Sequence, residues 1–188
     1  MSIWKWFGLE ERPGSEQTRA KRPSSPETET VRKIVETLDR MEPERARYIA
    51  AFAYLLGRVA HADHIVSEEE TRVMEGIVME HGHLPEEQAI LVVQIAKAQN
   101  LLFGGTENFL VAREFGKITS REQKLALLDC LYAVCAADHR VSVVEDNEIR
   151  KISRELTLSH QEFIGVRLRY REQLAVLQNP AAEEAENG

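Results

Sequence analysis

Cysteine, tryptophan and proline are scarce in this chain of 188 residues, with two, two and six of them. Cys130 and Cys135 fall in one helical stretch. Five residues of helix set their Cα atoms about 7.5 Å apart along the axis and on different faces, too far for a disulfide. A disulfide-stapled scaffold is thereby excluded, and reduced thiols in the cytosol are expected. No run approaches the roughly 18–20 apolar residues that cross a bilayer. The opening residues show no basic region, apolar run and small-residue cleavage site of a secretory signal, so a cytoplasmic location is expected. The formal charge is −7 and no Lys/Arg cluster interrupts it, which argues against nucleic acid as a partner. Also missing are a P-loop, a Rossmann glycine pattern, H-E-x-x-H, C-x-x-C and the G-x-S-x-G elbow.

Both tryptophans lie in Met1–Leu9, MSIWKWFGL. Residues 10–26 are polar, carry three prolines and hold no large apolar residue. Such a segment cannot offset its own ordering entropy and reads as a flexible linker. Residues 1–26 are therefore an amphipathic tip plus linker. The tip is suited to docking on a partner or on the domain itself, with peripheral membrane contact as the lesser alternative because its basic content is one lysine. Residues 27–178 read as a helical domain, and residues 179–188 as a disordered acidic tail with Glu183, Glu184 and Glu186.

Within the domain, apolar residues recur at helical spacing: Val31, Ile34, Val35, Leu38 and Met41, then Phe52, Leu55, Leu56 and Val59, then Val73, Ile77 and Val78. Ser25-Pro26 and Pro43 mark helix starts, and Gly82 is read as the terminator of one helix. Leu84-Pro85 opens a helix to about Phe103, which Gly104-Gly105 breaks, and Thr106 caps a short one ending near Lys117. Ser120 begins another, and Ser67/Glu70, Ser142/Glu145 and Ser159/Glu162 have the form of capping boxes. The expectation is an all-α bundle of about eight helices joined by short loops.

One pattern occurs twice. Ala62-Asp63-His64-Ile65-Val66-Ser67, with Glu70, Met74 and Ile77, aligns without a gap to Ala137-Asp138-His139-Arg140-Val141-Ser142, with Glu145, Ile149 and Ile152, at an offset of 75 residues. Two related three-helix halves, joined around a helix at 106–117, are the expected architecture. In each copy the valine should plug into the core, the serine cap the next helix and the glutamate reach back to the cap's own N–H. That account explains serine, valine and glutamate fully, the aspartate in part and the histidine not at all.

The repeat resembles the A-D-G-x-[IV]-S-x-x-E signature of the TerB-like family, associated with bacterial tellurite resistance. Its second copy, Ala137-Asp138 through Glu145-Asp146-Asn147, is similar to the family's longer A-D-G-x-[IV]-x-x-x-E-D-N stretch. The resemblance spans roughly residues 45–175. It implies an all-α domain with an internal pseudo-repeat, acting in interaction or stress response, and paired acids proposed to hold a divalent metal. By position those acids are Asp63, Glu70, Asp138 and Glu145, with Asp146 in addition. Where the family usually has glycine, this chain has His64 and His139. A positive φ is expected there, which histidine tolerates better than most residues. Imidazoles beside the acids would favour Zn²⁺ or Mn²⁺ over Ca²⁺ or Mg²⁺.

The Asp63–Glu70 spacing also matches positions 5 to 12 of an EF-hand loop, but Val59, His61 and His64 stand where that loop needs oxygen ligands and glycine. Asp, His and Ser within five residues do not make a triad, since the serine is committed as a cap. His81-Gly82-His83 is better explained as a helix end than as a metal motif. The expected function is thus a non-enzymatic, cytoplasmic interaction module with a protein partner, whose repeated carboxylates either converge on a divalent ion or serve only as helix caps. The alternative is a metal-dependent, phosphohydrolase-like enzyme using the same carboxylates, which needs an open coordination position beside a pocket.

Overall fold

In the computed structural model, which describes residues 26–60, 68–98 and 108–178, one helix is apolar on every side and organises the others. This is α2 (Pro43–Val59), in which every residue from Tyr48 to Gly57 is buried. A helix that is hydrophobic all round has to be covered all round. Pro43 occupies its first turn, and the Glu42 carboxylate accepts the Arg45 N–H at 2.9 Å. The remaining helices are α1 (Pro26–Arg40), α3 (Glu68–Gly82), α4 (Glu86–Lys97), α5 (Asn108–Ile118), α6 (Arg121–Ala136), α7 (Val143–Glu155), α8 (His160–Arg167) and α9 (Ala175–Gln178), with a 3-10 turn at Leu168–Tyr170. Among the described residues the only β-type pairing is a single bridge between Val141 and Leu174. The domain is all-α, as expected.

Helix α2 packs against α1, α4, α5, α6 and α7. Its contact with α5 is aromatic: Phe115 sits 5.4 Å from the Tyr48 ring centroid and 6.4 Å from that of Phe52. Such tilted and edge-on pairs add roughly 0.5–1.5 kcal/mol each beyond burial. Helices α3 and α7 start 75 residues apart, at 68 and 143, and α4 and α8 start 74 apart, at 86 and 160. Helix α3 lies on α6, and α7 lies on α2. The helix after each copy of the sequence repeat is therefore covered by the helix before the other copy.

Two readings of α3 change. Gly82 is not the left-handed terminator: it stays in the helix, and His83 takes the positive φ of 53°. The reason for glycine is packing, because a Cβ there would come within 3.0 Å of the Phe52 ring. Val73, read as core-facing, is half exposed. The buried stripe runs through Met74, Val78 and Gly82, at i, i+4 and i+8, and Val73 lies a hundred degrees off it. The helix read as running to about Phe103 ends at Lys97, with Ala98 closing it. Ser67, Gly104-Gly105, Thr106, the N-terminal tip and linker, and the acidic tail lie outside the described residues.

The α2–α7 contact contains the one charged side chain buried in the last turn of α2. Arg58 is 3% exposed and donates to Glu148 Oε1 at 2.9 Å and Glu155 Oε2 at 2.7 Å. Residues 148 and 155 are two turns apart, so both carboxylates leave one face of α7. Burial opposes the guanidinium charge, but the hydrogen bonds from Glu155 and Glu148 outweigh it and hold its pKa above the ordinary value. Arg58→Met should destabilise the fold by about 3–5 kcal/mol, because it strands carboxylates in the interface. Guanidinium unfolding checks this, and most of the loss should return when Glu148 and Glu155 become glutamine in the same chain.

Candidate functional site

The turn between α6 and α7 is the described copy of the repeat. Helix α6 closes with the Ala137 N–H on the Val134 carbonyl at 3.2 Å, and the His139 N–H reaches Ala136 at 2.9 Å. His139 has φ 63°, the left-handed conformation expected where the signature it resembles has glycine. Val141 is fully buried, and both of its backbone groups are engaged: its N–H donates to Gln173 O at 2.7 Å and its carbonyl accepts from Ala175 N at 2.9 Å. This clamp leaves Asp138, His139 and Arg140 exposed on a turn fixed at both ends.

Ser142 then caps α7. Its Oγ accepts the Glu145 N–H at 3.2 Å, and Glu145 Oε2 accepts the Ser142 N–H at 2.8 Å. The same reciprocal box forms at Ser159/Glu162, and at Ser120 with Gln123. Near Glu145 the Cys135 thiol is pushed well above the usual thiol range, first by burial and then by this carboxylate. Both cysteines are free and buried, as expected.

Asp146 is 8% exposed and carries no open oxygen face. Arg167 approaches it as a fork, Nε to Oδ1 at 2.8 Å and Nη2 to Oδ2 at 2.8 Å, and the Tyr132 hydroxyl donates to Oδ1 at 2.7 Å. Two parallel N–H···O bonds to one carboxylate are the strongest ordinary side-chain pairing. The hydrogen bond to Asp146 raises the Arg167 pKa, and burial followed by the same carboxylate pushes the Tyr132 phenol up. Tyr132 stacks on Tyr170 at 5.5 Å. One carboxylate thus joins α6, α7 and α8.

Of the acids read from the sequence, the structure brings Glu145 and Asp146 into internal contacts. Asp138 is exposed on the turn, Glu70 is exposed in the first turn of α3, and Asp63, with His61 and His64, lies outside the described residues. No three His, Cys, Asp or Glu side chains come together to hold an ion among the described residues. In the second copy the donor set does not fit a metal as it stands, since Asp146 faces a guanidinium and Glu145 faces an N–H and a thiol.

Sequence reading missed the partners. Arg167, Tyr132 and Arg58 belong to no local motif. His81, treated as a polar flank of Gly82, places Nδ1 2.7 Å from Asp129 Oδ2 on α6. Tyr170 and Arg169 reach Asp129 Oδ1 at 3.1 Å each, and burial, then Asp129, raise the Tyr170 phenol. Nothing in the spacing of these residues announces the cluster.

Asp146→Asn keeps the shape but removes the charge opposite Arg167, and should cost about 3 kcal/mol in denaturant unfolding. His139→Gly should be neutral or stabilising, whereas His139→Val should cost about 1–2 kcal/mol, because a β-branched residue resists positive φ. Thermal melts of the two variants check that the position is set by backbone conformation.

The family model described as Tellurite resistance protein TerB matches residues 48–168, from within α2 to the first residue of the 3-10 turn. No curated protein and no solved structure gives a significant match. The matched span is more than half of the chain and includes the clamped turn, the capping boxes and the Asp146–Arg167 pair, so this chain belongs to the TerB family.

Proposed function

We propose that the protein is a non-enzymatic interaction module of the stress-response type, which presents the Asp138–Arg140 turn and its first-copy counterpart to a protein partner. The observation that carries this reading is the engagement of Glu145 and Asp146. A metal-dependent hydrolase needs carboxylates aimed into a solvent-open site, and these two are aimed at a cap N–H, a thiol, a guanidinium and a phenol. The exposed turn is held rigid by the Val141 clamp, and polar loop residues on a rigid frame are where recognition concentrates. Divalent-ion binding, on this reading, falls to Asp138 together with Asp63 and Glu70, while Glu145 and Asp146 act structurally. No helix among the described residues is long and apolar enough to cross a membrane. Recruitment is assigned to residues 1–9, toward a protein in preference to a lipid surface.

Calorimetric titration and melting of the full chain with Mg²⁺, Ca²⁺, Mn²⁺ and Zn²⁺ test the metal assignment. One of these ions should raise Tm by about 5–10 °C at a hundredfold excess over its Kd. The rise should vanish in Asp63→Asn and Asp138→Asn and survive in Asp146→Asn. Failure of all four ions to bind removes the metal from the proposal. In parallel, p-nitrophenyl phosphate with Mn²⁺ or Mg²⁺ should not turn over, and turnover abolished by Asp138→Asn would overturn the non-enzymatic reading. Anionic vesicles should leave the full chain in the supernatant, and pelleting that depends on residues 1–9 would reassign that segment to the membrane.

A further inference from the structure

We propose that the cleft at the corner between α7 and α8 binds a phosphate group, free or at the end of a small monoester. After α7 the chain turns at Thr157, φ 60°, and Ser159 caps α8. The corner holds a half-open cleft of about 240 Å³ lined by Arg150, Arg154, Leu158, Ser159, His160 and Phe163. This lies below the 300–1,000 Å³ of ordinary small-molecule pockets, which suits a single anionic group and a short body rather than a nucleotide.

The charges make the case. Arg150 and Arg154 are four residues apart, so their guanidinium groups share one face of α7, an arrangement of like charges that is unfavourable by itself. Arg58 and Arg167, the arginines engaged inside the fold, each face a carboxylate. No ion pair involves Arg150 or Arg154 among the described residues; the acid four residues before Arg150 is Asp146, already held by Arg167. Glu162, the acid of the α8 first turn, is held by Ser159 and by Arg121. The Arg150 guanidinium lies over the Phe163 ring at 5.7 Å from its centroid, and the His160 ring is 6.4 Å from the same centroid. The Arg150 guanidinium is thus positioned before any ligand arrives.

Helix-dipole stabilisation explains Arg154 in the last turn of α7, but not Arg150 a turn earlier. An anion in the cleft would lie beside two guanidinium groups and an imidazole. Planar guanidinium forks match the oxygen edges of phosphate, and their number suits a tetrahedral dianion better than a carboxylate.

The test is titration of the full chain with inorganic phosphate, glycerol 3-phosphate and acetate, followed by calorimetry and by amide chemical shifts in α7 and α8. Phosphate or its monoester should bind at least tenfold more tightly than acetate and shift the amides of residues 159–161. Tighter binding of glycerol 3-phosphate assigns the site to a monoester, and equal binding assigns it to free phosphate. Arg150→Gln with Arg154→Gln should weaken binding more than tenfold at unchanged Tm, His160→Asn should weaken it several-fold, and Arg72→Gln on α3 should leave it unaltered. Equal affinity for acetate, or equal loss in Arg72→Gln, overturns the proposal. So does undiminished binding by the double variant.

Discussion

A carboxylate that is almost removed from water has to find a cation, and Asp146 finds one twenty-one residues further along the chain. Everything between it and Arg167 is constrained by that closure: the end of α7, the reversal at Thr157 and the start of α8. The fork geometry fixes direction as well as distance, and the Tyr132 hydroxyl adds α6 to the same junction. The corner cleft exists because these helices meet at a set angle. Removing either charge would leave the other buried and alone, which is more costly than never having had the pair.

Helix α7 consequently has two electrostatic faces. Inward it presents Glu145, Asp146, Glu148 and Glu155, all matched by donors from α2, α6, α8 or its own cap. Outward it presents Arg150 and Arg154, matched by none of the described carboxylates. Arg58 supplies the inward cation from the far end of α2, so the amino-terminal and carboxy-terminal helices are joined by charge as well as by apolar packing. The family's acidic signature, in this chain, is largely the means by which α7 is bound into the bundle.

What the sequence made legible was local. Ser142/Glu145 and Ser159/Glu162 announce themselves because capping needs partners three residues apart, and the positive φ of His139 was legible from the glycine in the signature that the repeat resembles. The apolar periodicity yields the helices and, with Val141, the plug that follows the turn. Reading fails once the deciding partner is remote. Asp146 is ambiguous until Arg167 and Tyr132 are found, at separations of 21 and 14 residues, and Arg58 meets its carboxylates 90 and 97 residues away. Gly82 illustrates the same limit: a glycine at a helix end suggests backbone freedom, whereas the constraint on it comes from a phenylalanine on another helix.

The bridge at Val141 gives the segment around Leu174 a role that its short length conceals. Residues 173 and 175 hold the turn by hydrogen bonds on both sides of one valine, so the last described stretch of chain is a mechanical tether to the Asp138 turn.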